Sequence, residues 1–226
     1  MKRSQINAAI DEAIDFLKEH HVTLPPFAYW SYEDYLDKGA EYDEIRDAML
    51  GWDITDYGSG DFDRVGLLLF TLRNGVEGLP QYDKPYAEKV LLSRENQVTP
   101  FHFHWRKMED IINRAGGNLM VQVYNATDDD RLSDTPVAVA MDGRRFTVPA
   151  GAILRLTPGE SITLPPRQYH QFWAEEGRGM VLVGEVSKVN DDRTDNRFLE
   201  DQGRFPHVEE DEPIRHPLFS EAPKGR

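Results

Sequence analysis

From Val65 to Lys188 the chain is cut into short segments by turn residues, and none of them has the length or the 3.6-residue apolar period of a helix. The run VGLLLFTLRNG closes on the turn pair Asn74-Gly75. Strands are then expected over 87–94, 98–105, 119–125, 137–141, 145–148, 152–156, 161–164, 169–174 and 180–188, parted by AGGN, NATDDDRLSD, MDGRR, PAG, PGE, PPRQ and EEGRG. Parallel strands would need crossover helices between them, so this punctuation selects an antiparallel sandwich or a closed barrel.

The first third reads differently. Ile6, Ile10, Ala13, Ile14 and Leu17 recur at i, i+4, i+7, i+8 and i+11, which predicts an amphipathic helix over 4–20 with Ser4 as its N-cap. Pro25 and Pro26 stop it, and shorter helical stretches are expected over 31–36 and 42–49, where Ile45, Met49 and Leu50 form an apolar stripe. We expect one structural domain in three parts: a helical extension packed on the barrel (1–62), the barrel (63–190) and an irregular wrapping segment (191–226) whose end from Pro217 is loose.

Charge narrows the function. Forty Asp and Glu against 26 Lys and Arg give a formal net charge of −14, a field that repels phosphate backbones and anionic membranes. A small neutral substrate suits it better than nucleic acid. The absence of cysteine removes disulfides and thiolate chemistry and fits a reducing, cytoplasmic setting. Asp11, Glu12 and Asp15 interrupt the N-terminal apolar pattern, unlike a signal peptide, and no apolar run is long enough to cross a membrane.

Against this background FHFHWRKMEDIIN, residues 101–113, stands out. On a strand His102 and His104 share one face. With Glu109 and Gly116 they make H-x-H-x4-E-x6-G, and PGESITLPPRQYHQFW adds Gly159, Pro165 and His170 in G-x5-P-x4-H. Taken singly, His102 and His104 read first as partly exposed strand residues and His170 as a satisfied core histidine. Together, three imidazoles and one carboxylate form a borderline-hard set suited to Mn²⁺, Fe²⁺, Co²⁺, Ni²⁺ or Zn²⁺, with coordination positions left for substrate oxygens.

These two blocks resemble the paired motifs of the cupin superfamily, which implies a mainly β double-stranded β-helix, or jelly-roll barrel, holding a divalent metal on His102, His104, Glu109 and His170. Two positions depart from the pattern: Arg167 stands where the family has Gly after the Pro, and Ala174 where Asn is frequent. Further stretches, GWDITDYGSG, EKVLLSRENQVTPFHFHWRKMEDIINRAGG and VSKVNDDRTDNRF, resemble the D-lyxose isomerase family over nearly the whole chain, helical extension included. The resemblance implies an Mn²⁺-activated ketol-isomerase, a homodimer, interconverting D-lyxose with D-xylulose and in many cases D-mannose with D-fructose; Co²⁺, Fe²⁺ or Zn²⁺ remain open as the metal.

Such a reaction moves a proton from C2 to C1 through a cis-enediol, so it needs charge opposite the two oxygens and a base within reach of both carbons. Glu185 in GEVSKV is the candidate base, and Lys89 in EKVLLSR the candidate to polarise or shuttle protons on the oxygens; an ion-pair partner and a rim charge are the alternatives. Asp191, Arg193, Asp195 and Asn196 are candidates for sugar hydroxyl contacts and Phe172, sharing parity with His170, for an apolar wall. Phe103 and Trp105 read as packing. Asp53 and Asp56 either reach the site or cap the turn before the first barrel strand. A metal dioxygenase, a phosphosugar isomerase using Arg167 or Arg193, and a non-catalytic sugar-binding barrel are the competing readings.

Overall fold

The computed structural model describes residues 1–189, 191, 194–200, 203 and 207–223. Three α-helices precede the barrel: α1 (Arg3–Glu19), α2 (Tyr32–Leu36) and α3 (Asp43–Asp47). Strands follow as β1 (Gly51–Thr55), β2 (Leu67–Arg73), β3 (Tyr86–Ser93), β4 (Thr99–His104), β5 (Glu109–Gly116), β6 (Leu119–Ala126) and β7 (Leu132–Ser133). The rest are β8 (Val137–Met141), β9 (Arg144–Val148), β10 (Ile153–Leu156), β11 (Ser161–Leu164), β12 (Gln168–Ala174), β13 (Val181–Lys188) and β14 (Asn196–Phe198).

Two curled antiparallel sheets face each other as a jelly-roll barrel. The larger runs β1-β2-β3-β13-β5-β11-β8-β9 and the smaller β10-β6-β12-β4-β14, with β7 added on β6. Alternation along the strands fills the space between them: Leu69, Leu91, Ile111, Val121, Phe172 and Val183 all belong to one buried cluster. The opposite parity of the same strands, Leu68, Phe70, Val90, Leu92 and Leu182, packs under the Ile6, Ile10, Ala13 and Leu17 face of α1. That explains the unbroken apolar run in LLLF. Strands covered on both faces need apolar residues at every position, whereas strands with one wet face alternate.

α1 begins one residue earlier than expected, and Lys2, not Ser4, is the N-cap residue. Gln5 Oε1 accepts from the Lys2 N–H at 2.9 Å, while the Ser4 hydroxyl donates to Asp211 at 2.7 Å. Ser31 does cap α2: its Oγ accepts from the Asp34 N–H and the Asp34 carboxylate accepts from the Ser31 N–H. The stretch expected to be helical over 42–49 holds the short α3, entered through a 3₁₀ turn over Ala40–Tyr42.

Four strands escape the sequence reading: β1, β5, β7 and β14. β1 is buried on every residue and pairs with β2, so the last part of the supposed helical region is a strand of the larger sheet. The segment from 207 onward is a strap across α1. Arg3, 1% exposed, donates to both Glu210 and Glu221, and Asn7 binds Glu212, the Pro213 carbonyl and the Arg215 N–H. Its end is not loose over 217–223, because Leu218 is buried and the Phe219 N–H donates to the Trp52 carbonyl at 2.8 Å. Among the described residues no helix is long and apolar enough to cross a membrane.

Candidate active site and metal centre

β4 carries His102 and His104 on its inward face, and β12 places His170 directly across from His102 in the ladder. Glu109 opens β5 in the facing sheet. The side-chain donor atoms of these four buried residues all lie within 4.8 Å of one another. Local backbone sets the rings: His102 Nδ1 lies 2.8 Å from the Pro100 carbonyl and His170 Nδ1 3.1 Å from the Gln168 carbonyl. Carbonyls only accept, so Nδ1 carries a proton in each, and Nε2 is the nitrogen that carries the lone pair in the neutral ring. Glu109 Oε1 sits 3.2 Å from His104 Nε2 and 3.1 Å from His170 Nε2, and the latter nitrogen, buried, makes no hydrogen bond among the described residues.

Electrostatics tune the set for a cation. Burial, then the neighbouring His170 and His104, push His102 well below the usual imidazole range, and burial and Lys107 lower His104. Both rings are therefore neutral at pH 7. Burial alone would raise Glu109, but the Lys107 charge and then His104 outweigh it and hold the carboxyl well below its usual value. Buried neutral imidazoles, an ionised carboxylate and an orphaned ring nitrogen aimed at one point fit a divalent metal. His102, His104, Glu109 and His170 would hold it.

A second charged group adjoins the first. Lys89 and Glu185 are cross-strand partners on β3 and β13, both inward and both buried, with Lys89 Nζ 3.4 Å from Glu185 Oε1. Between this pair and the ligands lies Lys107, whose Nζ is 2.6 Å from Glu109 Oε2 and 2.9 Å from Glu185 Oε1. Burial raises Glu185 and the Glu109 charge adds to that, yet Lys107 and Lys89 prevail and lower it. Glu185 is a buried, ionised carboxylate beside the ligand cluster.

Lys107 was absent from the sequence candidates. Its signal was parity, since it precedes Glu109 by two residues in the link to β5, but no motif marks it. The apolar wall combines Phe172, 2% exposed, with Tyr57, Leu67, Leu91 and Phe198 around the same small cavity. The Phe198 ring lies 5.4 Å from that of His102 and 5.5 Å from that of Tyr57. Asn196 lines the cavity as well.

The remaining candidates are distributed around this centre. Asp195 is buried, with one carboxylate oxygen on the Arg106 N–H and the other on the Lys107 N–H. Asp191 accepts from the Thr194 hydroxyl and lines, with Asp195, a cleft beside the site. Arg193 lies outside the described residues. Asp56 caps its turn through the Gly58 N–H, while Asp53 is buried on β1. Phe103 is fully buried, its ring 4.8 Å from that of Trp105, and Arg167 lies over both.

Comparison with known proteins agrees with this geometry. A sequence model described as D-lyxose isomerase matches residues 1–222. A D-lyxose/D-mannose isomerase of Serratia proteamaculans is 54% identical over 215 residues, 94% of each chain, and one of Escherichia coli O157:H7 is 52% identical over 224 residues, 98% of each. Among solved structures, L-ribose isomerase of Cellulomonas parahominis with L-ribose superposes with a TM-score of 0.60 at 17% identity, covering 92% of this chain and 98% of its own, which is a likeness of fold. The chain belongs to the D-lyxose isomerase family, and its activity is that of a sugar isomerase.

Proposed function

We propose that the protein interconverts D-lyxose and D-xylulose, and D-mannose and D-fructose, by proton transfer between C2 and C1, with Mn²⁺ held by His102, His104, Glu109 and His170. The observation that carries this reading is the contiguity of two charged groups: a buried three-histidine, one-carboxylate cluster and, through Lys107, the ionised Glu185. Curated relatives at 52–54% identity that bear those two sugars in their names supply the substrate class. When bound, such a cation supplies Lewis-acid charge opposite the two oxygens of an α-hydroxy carbonyl.

The chain's own residues do the rest. The Glu185 carboxylate takes the proton from C2 as the C1–C2 double bond of the cis-enediol forms, and returns it to C1 as that bond collapses. Meanwhile O1 gains a proton and O2 loses one, and the Lys89 ammonium mediates that exchange. Lys107 keeps Glu109 and Glu185 ionised side by side, which like charge and burial would otherwise forbid. Phe172 and Phe198 exclude water from the carbon being deprotonated, and Asn196, Asp191 and Arg193 contact sugar hydroxyls. The enzyme works in the cytoplasm as a homodimer.

The test strips the protein with chelator, restores Mn²⁺ without oxygen, and follows both sugars by proton NMR in D₂O. Conversion that needs metal is the expected result, and the deuterium content at C1 reports how far the transferred proton exchanges with solvent on Glu185. Unchanged sugars with metal bound would refute the reading. Glu185→Gln should cut kcat at least a hundred-fold while leaving Mn²⁺ affinity nearly intact.

A further inference from the structure

The structure assigns Asp195 a positioning role: it clamps the turn between the two halves of the ligand set, and so places Lys107 and Glu109, without touching substrate. His104 ends β4 and Glu109 opens β5, so residues 105–108 are all that joins two ligands on opposite sheets. One residue from the far end of the chain satisfies this link. The Asp195 carbonyl accepts from the Trp105 N–H at 3.0 Å, its Oδ1 from the Arg106 N–H at 2.9 Å and its Oδ2 from the Lys107 N–H at 3.0 Å. Three successive main-chain donors are thus met by one amino acid, two of them with charge-assisted bonds.

The clamp is itself held. The Asp195 N–H donates to the Asp191 carbonyl at 3.0 Å, and the next residue, Asn196, pairs with His104 as β14 joins β4. Asp195 is 4% exposed. Releasing it would leave the Arg106 and Lys107 N–H groups without their acceptor at the place where Lys107 Nζ must reach Glu109 and Glu185 at 2.6 and 2.9 Å. Both carboxylate oxygens are engaged by N–H groups of the link, which distinguishes a clamp from a sugar contact.

The kinetic part of the test rests on the isomerase reading, and the rest does not. In Asp195→Asn and Asp195→Ala, kcat should fall about ten- to hundred-fold while KM moves less than about three-fold. Amide exchange at Arg106 and Lys107 should accelerate at least about ten-fold in metal-free protein with α1 and β6 unchanged, and Mn²⁺ should bind more weakly by isothermal titration. Combined with Lys107→Ala, the losses should be far less than multiplicative, since Asp195 acts through Lys107.

A KM raised at least ten-fold with kcat and exchange at wild-type values would overturn the clamp in favour of a sugar contact, and multiplicative losses would also overturn it. If the wild-type protein converted no sugar, the isomerase reading would fall while exchange and metal titration still decided the clamp. Should Asp195→Ala not fold, Asp195→Asn, equal in shape, carries the test. Unchanged exchange at Arg106 and Lys107 in that variant sinks the assignment.

Discussion

Replacing Lys107 by methionine tests the electrostatic logic of the centre, because the side chain keeps its unbranched stem and loses the ammonium group. Lys107 Nζ stands 2.6 Å from Glu109 and 2.9 Å from Glu185, with all three side chains buried. At an effective dielectric of about 20, each contact carries roughly 6 kcal/mol of gross attraction. Most of that offsets the cost of desolvating the charges, and loss of one partner from a buried pair nets about 3–5 kcal/mol. Glu185 retains Lys89 at 3.4 Å, so the larger part of the loss falls on Glu109.

A divalent cation on Glu109 would restore the missing charge. We therefore expect Lys107→Met to lose about 3–5 kcal/mol in chelator, by urea unfolding followed by circular dichroism, and only about 1–2 kcal/mol at saturating Mn²⁺. A loss below 1 kcal/mol in chelator, or the same loss with and without metal, would refute the reasoning.

Three further outcomes follow from other parts of the molecule. Wild-type protein should gain about 2.7 kcal/mol, read as a rise in Tm, when Mn²⁺ goes from zero to a hundred times its Kd, and His170→Ala should gain far less at the same concentration. Arg167 has φ 61°, where a non-glycine residue is strained, yet it lies 5.2 Å over Phe103 and 3.0 Å from Asp130. Arg167→Ala keeps the strain and loses the contacts, at about 1–2 kcal/mol, whereas Arg167→Gly should cost less than Ala because relief of about 1 kcal/mol offsets the loss; urea midpoints rank the two. Hydrogen bonds from Arg3 lower Glu210, and hydrogen bonds from Ser4 lower Asp211. Folded values below unfolded ones make the strap's hold on α1 complete at neutral pH and lost as pH falls below about 4, so proteolysis of the strap should quicken there and stay flat from pH 6 to 8.

The ligand set was legible because its geometry is local. Two histidines at i and i+2 on a strand must share a face, and a fixed turn spacing brings His170 across from His102. Lys89 was singled out by the resemblance of EKVLLSR and Glu185 as a carboxylate at the end of a strand, and their pairing across β3 and β13 brings the two together. β5 was hidden because its inward face begins with Glu109 and continues with Asn113, whose carboxamide donates to the Gly117 and Leu156 carbonyls; an alternation with polar residues inside does not look like one. Lys107 and Phe198 were out of reach for a different cause. Each acquires its place through a partner about 80 to 100 residues away, and nothing in the local pattern encodes that partner.

The arrangement of cover over the barrel explains which parts of the site can be rigid. β2, β3 and β13 are packed on both faces, by the barrel core inside and by α1 outside, and α1 is in turn bound by the strap through Arg3, Ser4 and Asn7. Opening these strands would expose two apolar faces at once, so Lys89 and Glu185 are anchored where local unfolding costs most. The opposite wall rests on β14, three half-buried residues paired only with β4 among the described strands, and contributes Asn196 and Phe198. Moving that side breaks one ladder, whereas moving the other would expose two apolar faces. Proton transfer depends on sub-ångström placement of the base, whereas admission depends on a wall that yields. Lys89 and Glu185 stand on the doubly covered strands, whereas Asn196 and Phe198 stand on a three-residue edge strand, so the two walls of the cavity differ in what it costs to move them.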